Sequence, residues 1–273
     1  MTSPASFAVQ YDINVHMTGN EGKVDVPLAM KQWSNVRNAL LQVGADVIVM
    51  PASPPNCPDA VFTANAGLIL GNQFIPSYFR NIERSPEEPY FIDWFRAHGF
   101  SIDMMPKRPR DVSAFEGAGD ALFSEKRKTL WLGHGFRSTE AGQLVVRTKM
   151  LDLGADGYLL KLVDPRWYHL DTCFCPLDDG TLLWYPEAFD AASRGLIERH
   201  FSKMVMVSEN DAVRFACNAV SVDKSIVMPL VSDELSSTLS ELGFTVHQVD
   251  MSEFLKSGGA CKCLTLEVNG VNS

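Results

Sequence analysis

No stretch of about 18 apolar residues occurs in the 273-residue chain, so no membrane-spanning helix is expected. The opening, MTSPASFAVQYDINVHM, lacks the basic segment and apolar core of a secretory signal. Both absences point to a cytoplasmic protein, in which the six cysteines are reduced thiols. Positive charge is also short, with 24 Lys+Arg against 33 Asp+Glu and a net charge of −9. Nucleic acid prefers a basic face, so no such partner is expected. A cationic small molecule suits an acidic protein better. No low-complexity linker interrupts the chain, and 46% of it is hydrophobic. That is enough for a sizeable core and predicts a single domain over residues 1–273.

What the chain does contain is an internal repeat. Five β-type runs, Asp46–Met50, Ser101–Met105, Tyr158–Val163, Met204–Val207 and Thr245–Val249, are each followed by a polar loop and a second apolar segment. In four cases another β-type run comes next: Gln73–Pro76, Thr129–Leu132, Thr181–Tyr185 and Ser225–Pro229. Helical candidates separate the units: Val26–Val43, Pro89–His98, Ser138–Leu153, Glu187–Ser202 and Ser232–Leu242. In the first, Leu28, Met30, Trp33, Val36, Leu40 and Leu41 recur near helical spacing. Gly99, Gly154 and Gly243 stand where a C-terminal cap favours glycine. Units that cannot bury their own faces must pack on one another, and a radial array protects their strand edges.

The matching point of each unit carries chemistry. It holds Asp59 and Asn65, then Glu116 and Asp120, then His169 and Asp171, then Asn218, and last Cys263. Around a common axis these groups would meet. A cysteine, a histidine and carboxylates are the parts of a thiol-dependent hydrolase. Cys173 with Cys175 and Cys261 with Cys263 form two C-x-C pairs, and four thiols could bind zinc. Structural zinc sites usually use C-x₂₋₄-C spacing, which neither pair has, so no metal is expected. Cys57, Cys173, Cys175, Cys217 and Cys261 read as packing or incidental thiols, which leaves Cys263 as the catalytic candidate.

PDAVFTANAG (Pro58–Gly67), FEGAGD (Phe115–Asp120), HLDT (His169–Thr172) and GGACKCLT (Gly258–Thr265), in this order, resemble the guanidino-group-modifying enzymes, or penteins. The resemblance runs from Tyr11-Asp12-Ile13-Asn14 to Cys263-Leu264-Thr265. It implies an α/β fold, a five-bladed pseudo-symmetric α/β propeller with a central active site and no cofactor. It also implies Cys263 as nucleophile, His169 as general acid/base and Glu116 as the carboxylate orienting it. Asp59 and Asp171 would hold the substrate guanidinium, and Arg84 the substrate α-carboxylate. Arg137 is a second carboxylate or loop contact, and Asn14 a rim contact. Asn218 would be structural, and the role of Asp120 is open. The implied activity is hydrolysis of arginine or an N-methylated arginine through a thiouronium on Cys263. Amidino transfer to an amine is the alternative.

Three positions depart from the pattern of one or another group of the family. Deiminases and dimethylargininases usually carry a carboxylate where this chain has Asn65, and FTANAG looks more like the arginine dihydrolases. Against that, Asn14 is followed by Val15-His16-Met17 rather than Pro-Trp-Met, and Lys262 stands where many relatives have histidine. The charged segment Arg80–Pro89, bounded by prolines and carrying Arg84, is the expected lid. The sequence leaves the oligomeric state open, a homo-oligomer included.

Overall fold

The computed structural model describes residues 1–124, 128–152 and 156–268. Its framework is four three-stranded sheets. The first joins β1 (Gly67–Leu70), β2 (Gln73–Pro76) and β3 (Ser101–Ile102). The second joins β4 (Ala121–Ser124), β5 (Thr129–His134) and β6 (Asp156–Lys161). The third joins β7 (Phe174–Pro176), β8 (Thr181–Trp184) and β9 (Lys203–Met206), and the fourth β10 (Val220–Val222), β11 (Ser225–Pro229) and β12 (Thr245–Val249). Every sheet has one register logic: the central strand is antiparallel to the strand before it and parallel to the strand after it. A parallel neighbour needs a long crossover. Helices α1 (Val26–Gln42), α2 (Glu87–Ala97), α3 (Glu140–Asp152), α4 (Ala191–His200) and α5 (Asp233–Glu241) are regularly spaced along the chain. The last four are those crossovers.

The repeat is real, but its boundary lies one strand away from where the sequence placed it. Each leading β-type run completes the sheet of the preceding unit: Ser101–Ile102 pairs with β2, and Thr245–Val249 with β11. Asp46–Met50, with no preceding unit in the chain, makes no strand. It has an isolated parallel bridge between Thr2 and Met50, with Met50 N–H donating to the Met1 carbonyl at 2.8 Å. The helix expected over Glu187–Ser202 is split into a short turn, Pro186–Ala188, and α4. The Asp190 side chain accepts from Ser193 N–H at 2.8 Å and starts α4 as its N-cap. Gly99 and Gly243 do follow α2 and α5 in the left-handed region, both at φ +86°. The glycine stop expected at Gly154, and the Leu153 end of its helix, lie outside the described residues.

What matters for function is a set of short turns between the sheets. Single turns of 3₁₀ helix at Pro58–Val61, Thr63–Ala66, Gly117–Gly119, Leu170–Thr172 and Lys262–Leu264 occupy the matching points of the repeat, and they touch one another. β1 is buried along its whole length, as is Thr63–Ala66 ahead of it. Short polar-bearing turns are therefore held inside apolar walls.

Candidate active site

The turns bring together groups that lie more than 200 residues apart in sequence. Cys263 is 3% exposed. Its sulfur lies 3.1 Å from Asn218 Nδ2 and 3.4 Å from Asp171 Oδ2. Burial, and then the Asp171 carboxylate, push the thiol well above its ordinary pKa. Burial also raises Asp171, to about 7, although Lys262 opposes it. Burial and the neighbouring carboxyl thus both favour the protonated thiol. Asp171 Oδ1 is buried and has no hydrogen-bond partner among the described residues. An orphan acceptor beside a nucleophile is a place for an incoming N–H.

The two glycines before the nucleophile have specific duties. Gly258 sits at φ +80°, and a side chain there would meet the Tyr168 hydroxyl at 2.7 Å. A side chain on Gly259 would strike the Phe62 ring. Tyr168 OH in turn donates to the Gly258 carbonyl at 2.5 Å. This tight passage seats Cys263 in the site.

His169 Nε2 and Glu116 Oε2 are 2.8 Å apart, both buried. Burial alone would raise Glu116, but the Arg137 guanidinium and the His169 hydrogen bond hold it well below the usual carboxylate range. Arg137 Nη1 donates to the same oxygen at 3.1 Å, and the Arg80 backbone N–H donates to Oε1. Glu116 is thus a fixed anion that sets the imidazole orientation. Asp120 is a brace: its Oδ2 accepts from Ser138 Oγ and its Oδ1 from Leu170 N–H. Its carboxylate stands 3.9 Å from His169 Nε2, and burial raises its pKa to about 6.

A small cavity of about 10 Å³ lies on the cysteine and histidine. Asn14, Asp59, Asn65, Arg84, Arg137, His169 and Cys263 all line it. Glu116 and Asp171 do not line it; they support His169 and Cys263 from behind. The nine residues expected to act in catalysis or substrate binding therefore lie together. Asp59 accepts from Tyr11 OH at 2.9 Å and Ser257 Oγ at 3.2 Å. Burial raises its pKa, with the Arg84 charge opposing.

Arg84 is more committed than its charged sequence context suggested. It is 3% exposed. Its fork donates to both Glu87 oxygens at 2.8 and 2.7 Å, to Asn65 Oδ1 at 2.9 Å and to the Asp59 carbonyl at 3.2 Å. Four of five N–H groups are spent, so little of it is free for a substrate carboxylate. Burial raises Glu87 to about 7, against the pull of Arg84. The lid expectation moves for the same reason. Of Arg80–Pro89, Arg84 alone lines the cavity, and the Arg80 side chain is tied to the Gly135 and Phe136 carbonyls. The cover is instead the Tyr11–Asn20 segment, which supplies Ile13, Asn14 and Met17 to the cavity wall. It is pinned by Arg137 to the Ile13 carbonyl at 3.1 Å and by Asn14 Nδ2 to the Ser257 carbonyl at 3.1 Å. The space enclosed beneath it is about that of one water.

Sequence reasoning missed Tyr11, Glu87, Tyr168 and Ser257. Glu87 was legible as an i,i+3 partner of Arg84. The others act through folding alone and leave no spacing signal. Among the described residues no group of three or more His, Cys, Asp or Glu is arranged to hold a metal ion, and no helix is long and apolar enough to cross a membrane.

Comparison with known proteins places this geometry. A family model for N,N dimethylarginine dimethylhydrolase, eukaryotic, matches residues 4–269. The chain is 47% identical over 270 residues, 98% of its length, to the bifunctional arginine dihydrolase/ornithine cyclodeaminase ArgZ of Synechocystis. It spans only 37% of that protein. It is 37% identical over 270 residues to the N(G),N(G)-dimethylarginine dimethylaminohydrolase of Mycobacterium tuberculosis, covering 98% of this chain and 85% of that one. Among solved structures, the N-terminal domain of ArgZ, in a cysteine-to-serine variant bound to substrate, superposes with a TM-score of 0.90 at 44% identity. That match covers 97% of this chain and 96% of the other.

Proposed function

The chain belongs to the N,N dimethylarginine dimethylhydrolase family, and within it we propose a cysteine hydrolase that takes arginine to ornithine, two ammonia and carbon dioxide. The observation carrying the choice is Asn65. Its Nδ2 donates to the Glu116 carbonyl and its Oδ1 accepts from Arg84 Nη1, so a neutral amide is locked against the cavity. A guanidinium presents only N–H groups, whereas the ureido group left by one hydrolysis presents a carbonyl oxygen. A carboxylate at this position would repel that oxygen. An amide accepts from the first group and donates to the second. That supports a second hydrolytic round on one substrate. The 47% identity to an arginine dihydrolase points the same way.

In this reading the guanidinium pairs with Asp59 and the free Asp171 Oδ1 by charge-assisted hydrogen bonds. The arriving cation stabilises the thiolate that the empty site disfavours. Sulfur attacks the central carbon, and protonated His169 gives its proton to the departing ammonia, leaving a thiouronium. Neutral His169 then takes a proton from water as it attacks, and sulfur leaves as a thiolate. Repetition on the ureido carbon expels the second ammonia and leaves the carbamate of ornithine, whose N–C bond then breaks to give ornithine and carbon dioxide. Two waters are consumed per arginine, and no redox partner or cofactor is needed. Arg137 is the better-placed arginine for the α-carboxylate, because Arg84 is spent. The same reading has a single catalytic domain over 1–273, working in the cytoplasm. It also has a five-bladed propeller whose fifth blade is closed by the bridge between Thr2 and Met50.

Dimethylarginine hydrolysis is the second reading, favoured by the family model and the mycobacterial relative. Amidino transfer is less favoured, since both relatives named above are hydrolases. Asn65→Asp tests the choice. It should shift arginine turnover from ornithine to accumulated citrulline, and undiminished ornithine would remove the amide from the account.

A further inference from the structure

Asn218 is fully buried, and every polar atom of its side chain is engaged around the nucleophile. Its Oδ1 accepts from the Ala260 and Cys263 backbone N–H groups, each at 3.1 Å. Its backbone carbonyl accepts from Lys262 N–H at 3.1 Å. Its Nδ2 donates to the Asp171 carbonyl at 3.0 Å and points a second N–H at Cys263 Sγ, 3.1 Å away. The turn that aims it is unusual: Phe215 sits at φ +62°, and its carbonyl accepts from Asn218 N–H at 2.8 Å. We propose that Asn218 is the hydrogen-bond donor that holds the Cys263 sulfur as a thiolate, so that it works on the reacting atom and is not only a structural residue of the fourth repeat.

The sulfur's polar neighbours, Asp171, Asn218 and the Ala260 backbone N–H, make opposite demands on it. Asp171 Oδ2 accepts, and so suits the thiol. Asn218 Nδ2 can only donate, and so suits the anion. When a guanidinium draws Asp171 into its own hydrogen bonds, the thiol loses its acceptor and Asn218 remains. The fixed Oδ1 contacts keep the donor aligned through both rounds of sulfur attack and departure. Other charged or titratable groups around the sulfur are His169, Asp59, Arg84, Arg137 and Tyr168 on the cavity wall, with Lys262 next to it in the chain.

The test does not require turnover, although the role in catalysis rests on the hydrolase reading. Iodoacetamide alkylation of Cys263, mapped by peptide mass spectrometry, is followed against pH in the wild type and in Asn218→Ser, a neutral variant too short to reach the sulfur. Losing a hydrogen bond to an anion should raise the midpoint by about one pH unit, about tenfold less thiolate at any pH below it. An unchanged midpoint in a variant with an unchanged melting temperature overturns the proposal. Should the variant not fold, the wild type decides: the Asn218 side-chain amide proton, followed by NMR, should shift with the same midpoint as alkylation, and an amide that does not titrate refutes the role. A shifted midpoint in a protein that hydrolyses no guanidino compound would sustain the thiolate donor and sink the hydrolase reading. An unshifted midpoint in an active arginine hydrolase would do the reverse.

Discussion

Replacing Asp171 with asparagine should cost activity and gain stability, with the gain confined to one side of a pH window. The folded state raises this carboxyl from an ordinary 3.8 to about 7 by burying it. A group that binds its proton more tightly when folded makes stability fall as pH rises between those two values. Above pH 7 the folded protein must hold an ionised, desolvated carboxylate with one oxygen unpartnered. At 1.36 kcal/mol for each tenfold, the full cost is about 4 kcal/mol as an upper bound. The asparagine variant carries no such term. Urea unfolding of both proteins at pH 4 and pH 8 isolates it, because any packing cost of the amide is common to both pH values. The stability of Asp171→Asn relative to wild type should improve by about 2–4 kcal/mol between pH 4 and pH 8. Turnover at pH 8 should drop roughly 10- to 100-fold, the worth of a charge-assisted hydrogen bond to the guanidinium. A pH-independent stability difference would refute the argument that the site stores this cost, and unimpaired turnover would remove Asp171 from substrate binding.

Two further predictions concern the buried charges around it. Arg84→Ala should destabilise the protein by about 3–5 kcal/mol, because it strands Glu87 without its partner; urea midpoints measure this, and a loss under about 1 kcal/mol would show the pair to be dispensable. Glu116→Gln should lower kcat by roughly 10²–10⁴ through loss of the imidazole's orienting anion, with KM little changed. Glu116, held below its ordinary 4.5, contributes stability that is present above that pH and lost as pH falls below it. The Gln variant should therefore show a weaker acid dependence of unfolding, and an acid limb identical to wild type would contradict the Arg137–Glu116–His169 arrangement.

The repeat was legible because strand, turn and helix each leave a local period, and those periods recur along the chain, four times as a three-stranded sheet among the described residues. Its boundary was not, because a β-type run carries no mark of which neighbour it will pair with; Ser101–Ile102 reads equally as the start of one unit or the end of another. The site residues were legible as a set because each stands at the same point of its unit, and the fold brings Cys263 and His169 to one cavity and Asn65 to the Glu116 carbonyl. Their partners were harder. NIERSPEEP looks like a solvated loop by composition, yet it folds inward because Arg84 neutralises Glu87 and reaches Asn65. The cover formed by Tyr11–Asn20 is set by single long-range bonds, such as Arg137 to the Ile13 carbonyl, which leave no pattern in either segment. Asn218 was visible at its axis position, but nothing in the sequence showed that its amide would face the sulfur.

The central claim is tested most directly by the products formed from arginine. The purified protein is incubated with uniformly ¹³C-labelled arginine, and separately with asymmetric dimethylarginine, with Cys263→Ser as the blank. Mass spectrometry and ammonia quantitation follow the products. The account predicts ornithine, labelled carbon dioxide and two ammonia per arginine, all abolished in Cys263→Ser. Citrulline and dimethylamine from dimethylarginine, with arginine untouched, would contradict it, and ornithine persisting in Cys263→Ser would remove the nucleophile on which the account is built.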